Sequence, residues 1–358
     1  MKKIDLYIIK KFLGTFFYAI SLLIVIVIIF DVSENIDEFL ENDAPLNEII
    51  FSYYFNFIPY FLNLFIYLFT FISVIFFTSK LASNTEIIAI LSSGISFIRL
   101  LRPYFISGLF LALISFYLAN FLIPKTNQKR REFKDTYMEK LSKNKDKNIH
   151  LQIHQGTFVY VERFDTKSLK GKKFTIEKFK DNKLYYKLRA KSIAWDSISQ
   201  KWQINDYYIR TINNTKENLI KGKRIDTTLN LAPSDLYVEK EDFEEMDYWE
   251  LNRTIKSKKM KGAENVKIYE VEKSKRVASP FATLVMTFIG MSLSCRKIRG
   301  GIGMHLGLGI AIAFAFILFM QVSTVFAISG NLPPFLSAWI PNIVFGILGI
   351  FFLYTAPK

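Results

Sequence analysis

The residues of this 358-residue chain that could do chemistry are few and scattered. His150 and His154 stand four apart in a stretch with a period of two, so on a strand they point the same way at a distance. No cysteine or acidic partner lies beside them, and they read as surface residues rather than metal ligands. The sequence holds no phosphate-cradling glycine loop that ends in lysine and serine or threonine, no GxSxG and no HExxH. "GGIGMHLGLG", Gly300 to Gly309, is glycine-rich but carries no lysine. Its Gly303 and Gly307 have the spacing that lets two helices approach closely. Cys295 is the only cysteine, so no intramolecular disulfide forms. Nothing here supports a catalytic residue, a metal site or a cofactor bound by the chain itself. Asn56, Asn63 and Gln321 lie in apolar surroundings, where such residues usually hydrogen-bond neighbouring helices.

What the chain has in quantity is apolar length. Half of its residues are hydrophobic and 35 are phenylalanine. Spanning a bilayer takes roughly 20 apolar residues. Five runs qualify: Phe12–Phe30, Phe57–Phe77, Tyr104–Ile123, Met304–Ile328 and Ser337–Tyr354. A sixth, Val277–Ser294, is shorter and carries Pro280. The expectation is an α-helical membrane protein with six transmembrane helices grouped three and three. The first run is too long, and too well followed by others, to be a cleaved signal peptide.

Charge sets the expected orientation. Lys2, Lys3, Lys10 and Lys11 precede the first span, whereas Asp31–Ser52 holds seven acidic residues and no basic one. Lys80, Arg99 and Arg102 follow the second span, and Arg296, Lys297 and Arg299 follow the fourth. Short loops rich in lysine and arginine stay in the cytoplasm. Both termini are therefore expected inside and the central block outside. That block, Thr126–Arg276, holds 35 of the 47 basic and 23 of the 32 acidic residues, a net +12. Long loops are exempt from the charge rule. Placed outside, the block has no nucleic-acid partner.

From His150 the period turns to two: "FVYVERF", "FTIEKFK", "LYYKLRAKSIAWD", "WQINDYYIRTI", "TTLNLAP". Alternation bounded by turn residues marks antiparallel strands with one buried face. Seven or eight strands fit before Pro233, giving an inserted periplasmic all-β domain of jellyroll type. Helical spacing flanks it on both sides. Three regions result: residues 1–124 with the first three spans, 125–276 with the β-domain and its helical linkers, and 277–358 with the last three. Strand pattern alone leaves a sensor, a receptor and a conduit open.

One stretch does more than connect. In "SNTEIIAILSSGISFIRLLRP", Ser83 and Glu86 have the S-x-x-E spacing of a capping box. Ile87, Ile90 and Leu91 then follow at i, i+3 and i+4, and Gly94 ends the turn. A helix over about 83–94, with one apolar face and an acid at its start, suits a groove on a partner protein or a lipid surface.

This stretch resembles the coupling-helix region of the LptF/LptG permease family. "DLYIIKKFLGTF" resembles the family's amino-terminal helix start, with Leu6 where arginine is common. "RVASPFATLVMTFIGMSLS", "RGGIGMHLGLGI" and "SGNLPPFLSAWIPNIVFGILG" resemble its last three spans. The resemblance implies a transmembrane subunit of an ATP-driven lipopolysaccharide exporter in the bacterial inner membrane, without catalysis of its own. It would extract the lipid and pass it to a periplasmic jellyroll bridge protein.

Implied partners are a cytoplasmic ABC ATPase dimer, which would bind the ATP and magnesium, and a paralogous or identical transmembrane subunit. Glu86, Ile87, Ile90, Leu91 and Gly94 would then contact the ATPase. Phe12–Phe30 and Met304–Ile328 would form the family's lateral gate. Lys125, Lys129, Arg130, Arg131, Lys273, Lys275 and Arg276 flank the membrane outside and are candidates for lipid phosphates. Phe158, Tyr160, Leu184, Tyr186 and Trp195 are candidates for a lipid groove. Asp31, Glu34, Asp37 and Glu38 stand where family members often carry basic residues. The alternative from another class is a membrane-anchored scaffold or sensor whose β-domain binds a periplasmic protein.

Overall fold

The computed structural model describes residues 3–138, 147–165, 168–181, 183–213, 216–236, 242–263, 266–296 and 301–355. Lys297 and Arg299 of the expected basic loop lie outside the described residues. Six helices are long and apolar enough to cross a membrane: α1 (Lys3–Glu41), α2 (Leu46–Ser83), α4 (Phe97–Tyr137), α6 (Val266–Ser294), α7 (Gly301–Ile328) and α8 (Pro334–Thr355). A short helix, α3 (Glu86–Ser92), separates α2 from α4. A further one, α5 (Tyr248–Met260), precedes α6. The hydropathy runs are therefore cores of longer rods. Charged extensions continue α4 to Tyr137 and begin α6 at Val266, and Pro280 lies inside α6 without ending it.

The chain divides into two compact units. One comprises Met1–Met138, Glu244–Trp249 and Lys267–Lys358; the other comprises Glu139–Phe243 and Glu250–Val266. In the first, α2, α4 and α6 approach one another where glycines face the side chains of a neighbouring helix. A methyl group on Gly108 would stand 3.0 Å from the Thr287 hydroxyl, and one on Gly290 would stand 3.0 Å from Phe71. Small residues permit this approach, which dispersion forces then reward. Gly303 and Gly307 do not serve that end within the chain, because both face open space. Gly309 packs on Ile75 instead.

The second unit is a six-stranded sheet in the order β1 (Lys147–His154), β2 (Thr157–Asp165), β3 (Lys170–Lys180), β4 (Lys183–Asp196), β5 (Lys201–Asn213) and β6 (Lys216–Thr227). Every neighbouring pair is antiparallel. The all-β domain is as expected, with six strands among the described residues rather than seven or eight, joined as a nearest-neighbour meander. Its core gathers Val159, Val161, Phe164, Phe174, Ile176, Leu188, Ala190, Ile193, Trp202 and Ile204. Leu231 and Leu236, beyond β6, belong to the same core, and the Trp202 indole N–H donates to the Leu231 carbonyl at 2.7 Å.

The alternation slips once in each of β2, β3, β4 and β5. Core residues are Val159 and Val161 but then Phe164 on β2; Gly171 but then Phe174 and Ile176 on β3; Leu188 and Ala190 but then Ile193 on β4. The slips align, since Arg163 pairs with Lys172, Lys172 with Ser192, and Ser192 with Asn205. Lys173 and Asp206 take left-handed backbone angles on this line, φ +51° each. A crease thus crosses the sheet and bends it, as bulges do singly. At Gly171, next to the crease, a methyl would stand 2.8 Å from Ile193 and 2.9 Å from Val161, so only glycine fits.

Phe174 is fully buried at the centre of this core. Phe174→Ala should cost the β-domain about 3–5 kcal/mol. Denaturant unfolding followed by fluorescence reads this directly, because Trp195 and Trp202 pack against each other in the same core.

Candidate functional site

Helix α3 is positioned by its neighbours rather than by its own ends. Ser83 remains the last residue of α2, so the expected capping box does not form. Thr85 takes a left-handed turn, φ +63°, and makes no side-chain cap. Glu86 opens the helix, and its carboxylate accepts from the Tyr7 hydroxyl at 3.0 Å and from the Asn84 amide at 3.3 Å. Gly94, φ +86°, ends the segment with its N–H on the Leu91 carbonyl at 3.0 Å. Ser96 then caps α4 by accepting the Arg99 N–H at 3.3 Å.

The two faces of α3 have different duties. Ile87 is 1% exposed, in one cluster with Ile8, Phe12 and Phe16 of α1 and Phe97 and Leu100 of α4; Ile90 and Leu91 pack on it. The face left open carries Ile88, 49% exposed, with Ala89 and Ser92. Glu86 is half-buried and Gly94 is exposed. Of the residues predicted for a partner contact, Glu86 and Gly94 are thus accessible, whereas Ile87 is committed to the chain's own core. Two contacts escaped the sequence reading. The Arg99 guanidinium grips both oxygens of Asp5, at 2.8 and 2.7 Å, and Tyr7 reaches Glu86. The one available signal was Asp5 itself, a lone acid among amino-terminal lysines.

The seven basic candidates separate by partner. Arg131 pairs with Glu245 at 2.8 Å, and Arg276, 5% exposed, pairs with Glu272 at 2.9 Å and donates to the Met246 carbonyl at 2.6 Å. Arg130 stacks over Phe57 and Tyr60, and Lys273 stacks over Tyr248. Lys125 and Lys129 are exposed. Lys275 and Arg276 reach a cavity of about 210 Å³, lined also by Tyr60, Asn63, Tyr67, Glu244, Glu272 and Ser279. The two acids balance the two bases there, and Leu64, Ala119, Ile123 and Met320 complete the lining, so the cavity is not a strong anion trap.

Asp31 accepts from the hydroxyls of Tyr53 (3.2 Å) and Tyr54 (3.0 Å). It is therefore tied to an aromatic cluster of Phe39, Tyr53, Tyr54, Phe57 and Phe133.

On the sheet, Tyr186 and Trp195 pack against the β-core, as a groove requires. Burial raises the Tyr186 hydroxyl above tyrosine's ordinary pKa. Leu184 is half-buried and lies two residues before Tyr186, on the same parity. Phe158 and Tyr160 are corrected: they alternate with the core residues Val159 and Val161 and so take the opposite face. There they line a shallow cavity of about 290 Å³ with His150, Thr175, Glu177, Lys187 and Arg189. All four residues of "FVYV" are apolar or aromatic, and a one-residue slip exchanges the faces.

The placement of α3 has a direct check. Cys295 is buried, so a cysteine introduced at position 88 should react readily with a maleimide in detergent, and one at position 87 should not. Equal reactivity would overturn the assignment of faces.

No curated protein matches the sequence. The family described as lipopolysaccharide export system permease LptF/LptG matches residues 6–355, nearly the whole chain, and covers the six spans and the inserted sheet together. It carries with it a multi-pass place in the inner membrane and a permease rather than a catalytic role. The chain belongs to the lipopolysaccharide export system permease family LptF/LptG.

Proposed function

We propose that this chain is a transmembrane subunit of an ATP-driven lipopolysaccharide exporter, with both termini in the cytoplasm and the sheet in the periplasm. A cytoplasmic ABC ATPase dimer supplies the energy, holding ATP and magnesium itself, and a periplasmic jellyroll protein receives the lipid. A second, paralogous or identical subunit completes the membrane part. The observation that carries this reading is α3. A two-turn helix is fixed by its inner face to the ends of α1 and α4, and it presents Ile88, Ala89 and Ser92 beside Glu86. A firmly backed helix with a small, part-apolar outer face suits a groove on a partner.

The membrane rods fit the task. Within their most apolar windows, α6 is 61% buried, whereas α1 and α7 are 17% and 22% buried. Tyr18, Val25, Ile29 and Phe30 on α1, and Ile310, Phe314, Val322 and Val325 on α7, are left to lipid or to a second subunit. Each acyl CH₂ is worth about 0.8 kcal/mol on burial, so one long chain in water costs on the order of 10 kcal/mol. The route must stay apolar, and the inner face of the creased sheet is apolar.

Two experiments decide. Purified from its native envelope, the chain should bring down an ABC ATPase, and Ile88→Asp should weaken that capture about tenfold, the ratio for about 1.4 kcal/mol. Membrane insertion should be unchanged. Full capture by Ile88→Asp would remove α3 from the interface, and no ATPase with the wild type would sink the reading. Photocrosslinkers at Tyr186 and Trp195 should capture lipopolysaccharide, and those at Phe158 and Tyr160 should not. Equal capture from both faces would refute the groove.

A further inference from the structure

We infer that Asp5, Tyr7 and Arg99 are positioning residues that make α1 move as one piece with α3; the inference rests on the proposed role of α3 as the ATPase contact. The amino-terminal turn of α1 is tied to both sides of that helix. Asp5, 6% exposed, takes both prongs of Arg99, which lies two residues inside α4, at 2.8 and 2.7 Å. Two residues along α1, Tyr7 donates to Glu86, the first residue of α3, at 3.0 Å. A forked arginine–carboxylate pair fixes direction as well as distance, which a lysine in its place would not. Between these polar ties, Ile8 and Phe12 share one buried cluster with Ile87, Phe97 and Leu100. Polar and apolar contacts thus lock the same three segments together.

The rest of α1 is held far more loosely. Its buried side chains are Asp5, Ile8, Phe12, Phe16, Ile20 and then none before Phe39. The intervening 18 residues span about 27 Å of helix at 1.5 Å each. Along that length the polar tie to α2 is Asp31, through the hydroxyls of Tyr53 and Tyr54. A stiff rod held firmly at its first turns, thinly packed over residues 21–38 and tied again at Asp31 and Phe39 passes a small rotation of the clamp to its middle. Displacement of α3 by a nucleotide-driven partner therefore reaches α1 through Asp5–Arg99 and Tyr7–Glu86.

The test uses the full chain with its copurified ATPase in lipid nanodiscs, and spin labels at positions 29 and 347, both exposed on α1 and α8. Pulsed resonance compares the label distance without nucleotide and after trapping with ATP and vanadate. The wild type should show a nucleotide-dependent shift. In Asp5→Asn with Tyr7→Phe the share of molecules that shift should fall about tenfold, within the usual range of coupling between sites. Arg99→Lys, which keeps the charge but loses the fork, should fall in between, and Asp5→Arg with Arg99→Asp should recover the shift. A merely structural pair would lower thermal stability without this pattern of loss and rescue. If the ATPase copurifies with every variant and the shift is unchanged in all of them, or is missing from the wild type, the inference is wrong while the ATPase contact stands. If no ATPase copurifies with the wild type, the functional reading fails and takes the inference with it.

Discussion

A seven-residue helix cannot hold itself together in water. Isolated helices are marginal below about 12–15 residues, because nucleation costs more than two turns of hydrogen bonds return. Helix α3, Glu86–Ser92, exists because Ile87, Ile90 and Leu91 lie against Ile8, Phe12, Phe97 and Leu100. Burying one isoleucine contributes about 1.5–3 kcal/mol, enough to hold two turns in place but not enough to survive losing that contact. The apolar face must therefore stay on the chain, and whatever docks on α3 meets its other side. This single constraint explains why the short connection between two membrane rods is so apolar.

The membrane body obeys a different rule. Lipid is as apolar as leucine, so helices gain little from hiding hydrophobic side chains from it. What joins them is close packing and internal polar contacts. Gly108 meets Thr287, and Gly290 meets Phe71. The Ser115 hydroxyl donates to Asn63 at 2.7 Å, the Thr78 and Tyr104 hydroxyls hydrogen-bond to each other at 3.0 Å, and Asn342 donates to the Ala278 carbonyl at 2.8 Å. These contacts bind α2, α4, α6 and α8 in pairs. The rods with the least burial, α1 and α7, are those with long unbroken faces of Phe, Ile, Val and Leu, and the polar joints of α1 sit at its start, Asp5 and Tyr7, and at Asp31. Stability and mobility are thus distributed by composition: small and polar residues where the bundle is fixed, large apolar ones where it meets lipid or another subunit.

Hydropathy made the six spans and their order legible, because in a bilayer backbone satisfaction leaves little else for a 20-residue apolar run to form. Period two made the inserted sheet legible for the same kind of reason. The faces were not legible. In "FVYVERF" both parities are apolar until Glu162, so alternation cannot say whether Phe158 or Val159 points inward; only the pairing of Val161 with Phe174 decides it. The crease hides further, since each of β2, β3, β4 and β5 needs one residue that breaks its own pattern, and the alignment of four such breaks is a property of the sheet. Ser83 misled for a related reason. S-x-x-E is a cap only where the chain enters the helix at Ser, and here α2 runs through Ser83 and turns at Thr85.

Charge shows the limit of counting most clearly. A net +15 and seven basic residues flanking the membrane invite phosphate, yet Arg131 and Arg276 already hold Glu245 and Glu272, and Arg130 and Lys273 lie on aromatic rings. The acids at the carboxyl end of α1 are just as occupied at Asp31, where two tyrosines donate to the carboxylate. Arginine in such places anchors Glu244–Trp249 between α4 and α6 through Glu245 and Met246. Recruiting Arg276 for an external phosphate would leave Glu272 without its partner, and stripping one member from a buried ion pair is strongly destabilising, by about 3–5 kcal/mol. A lipid phosphate is met more cheaply by exposed Lys125 and Lys129, which must surrender only water. Lys275 stands between the two groups, since the cavity it lines is also lined by Glu244 and Glu272.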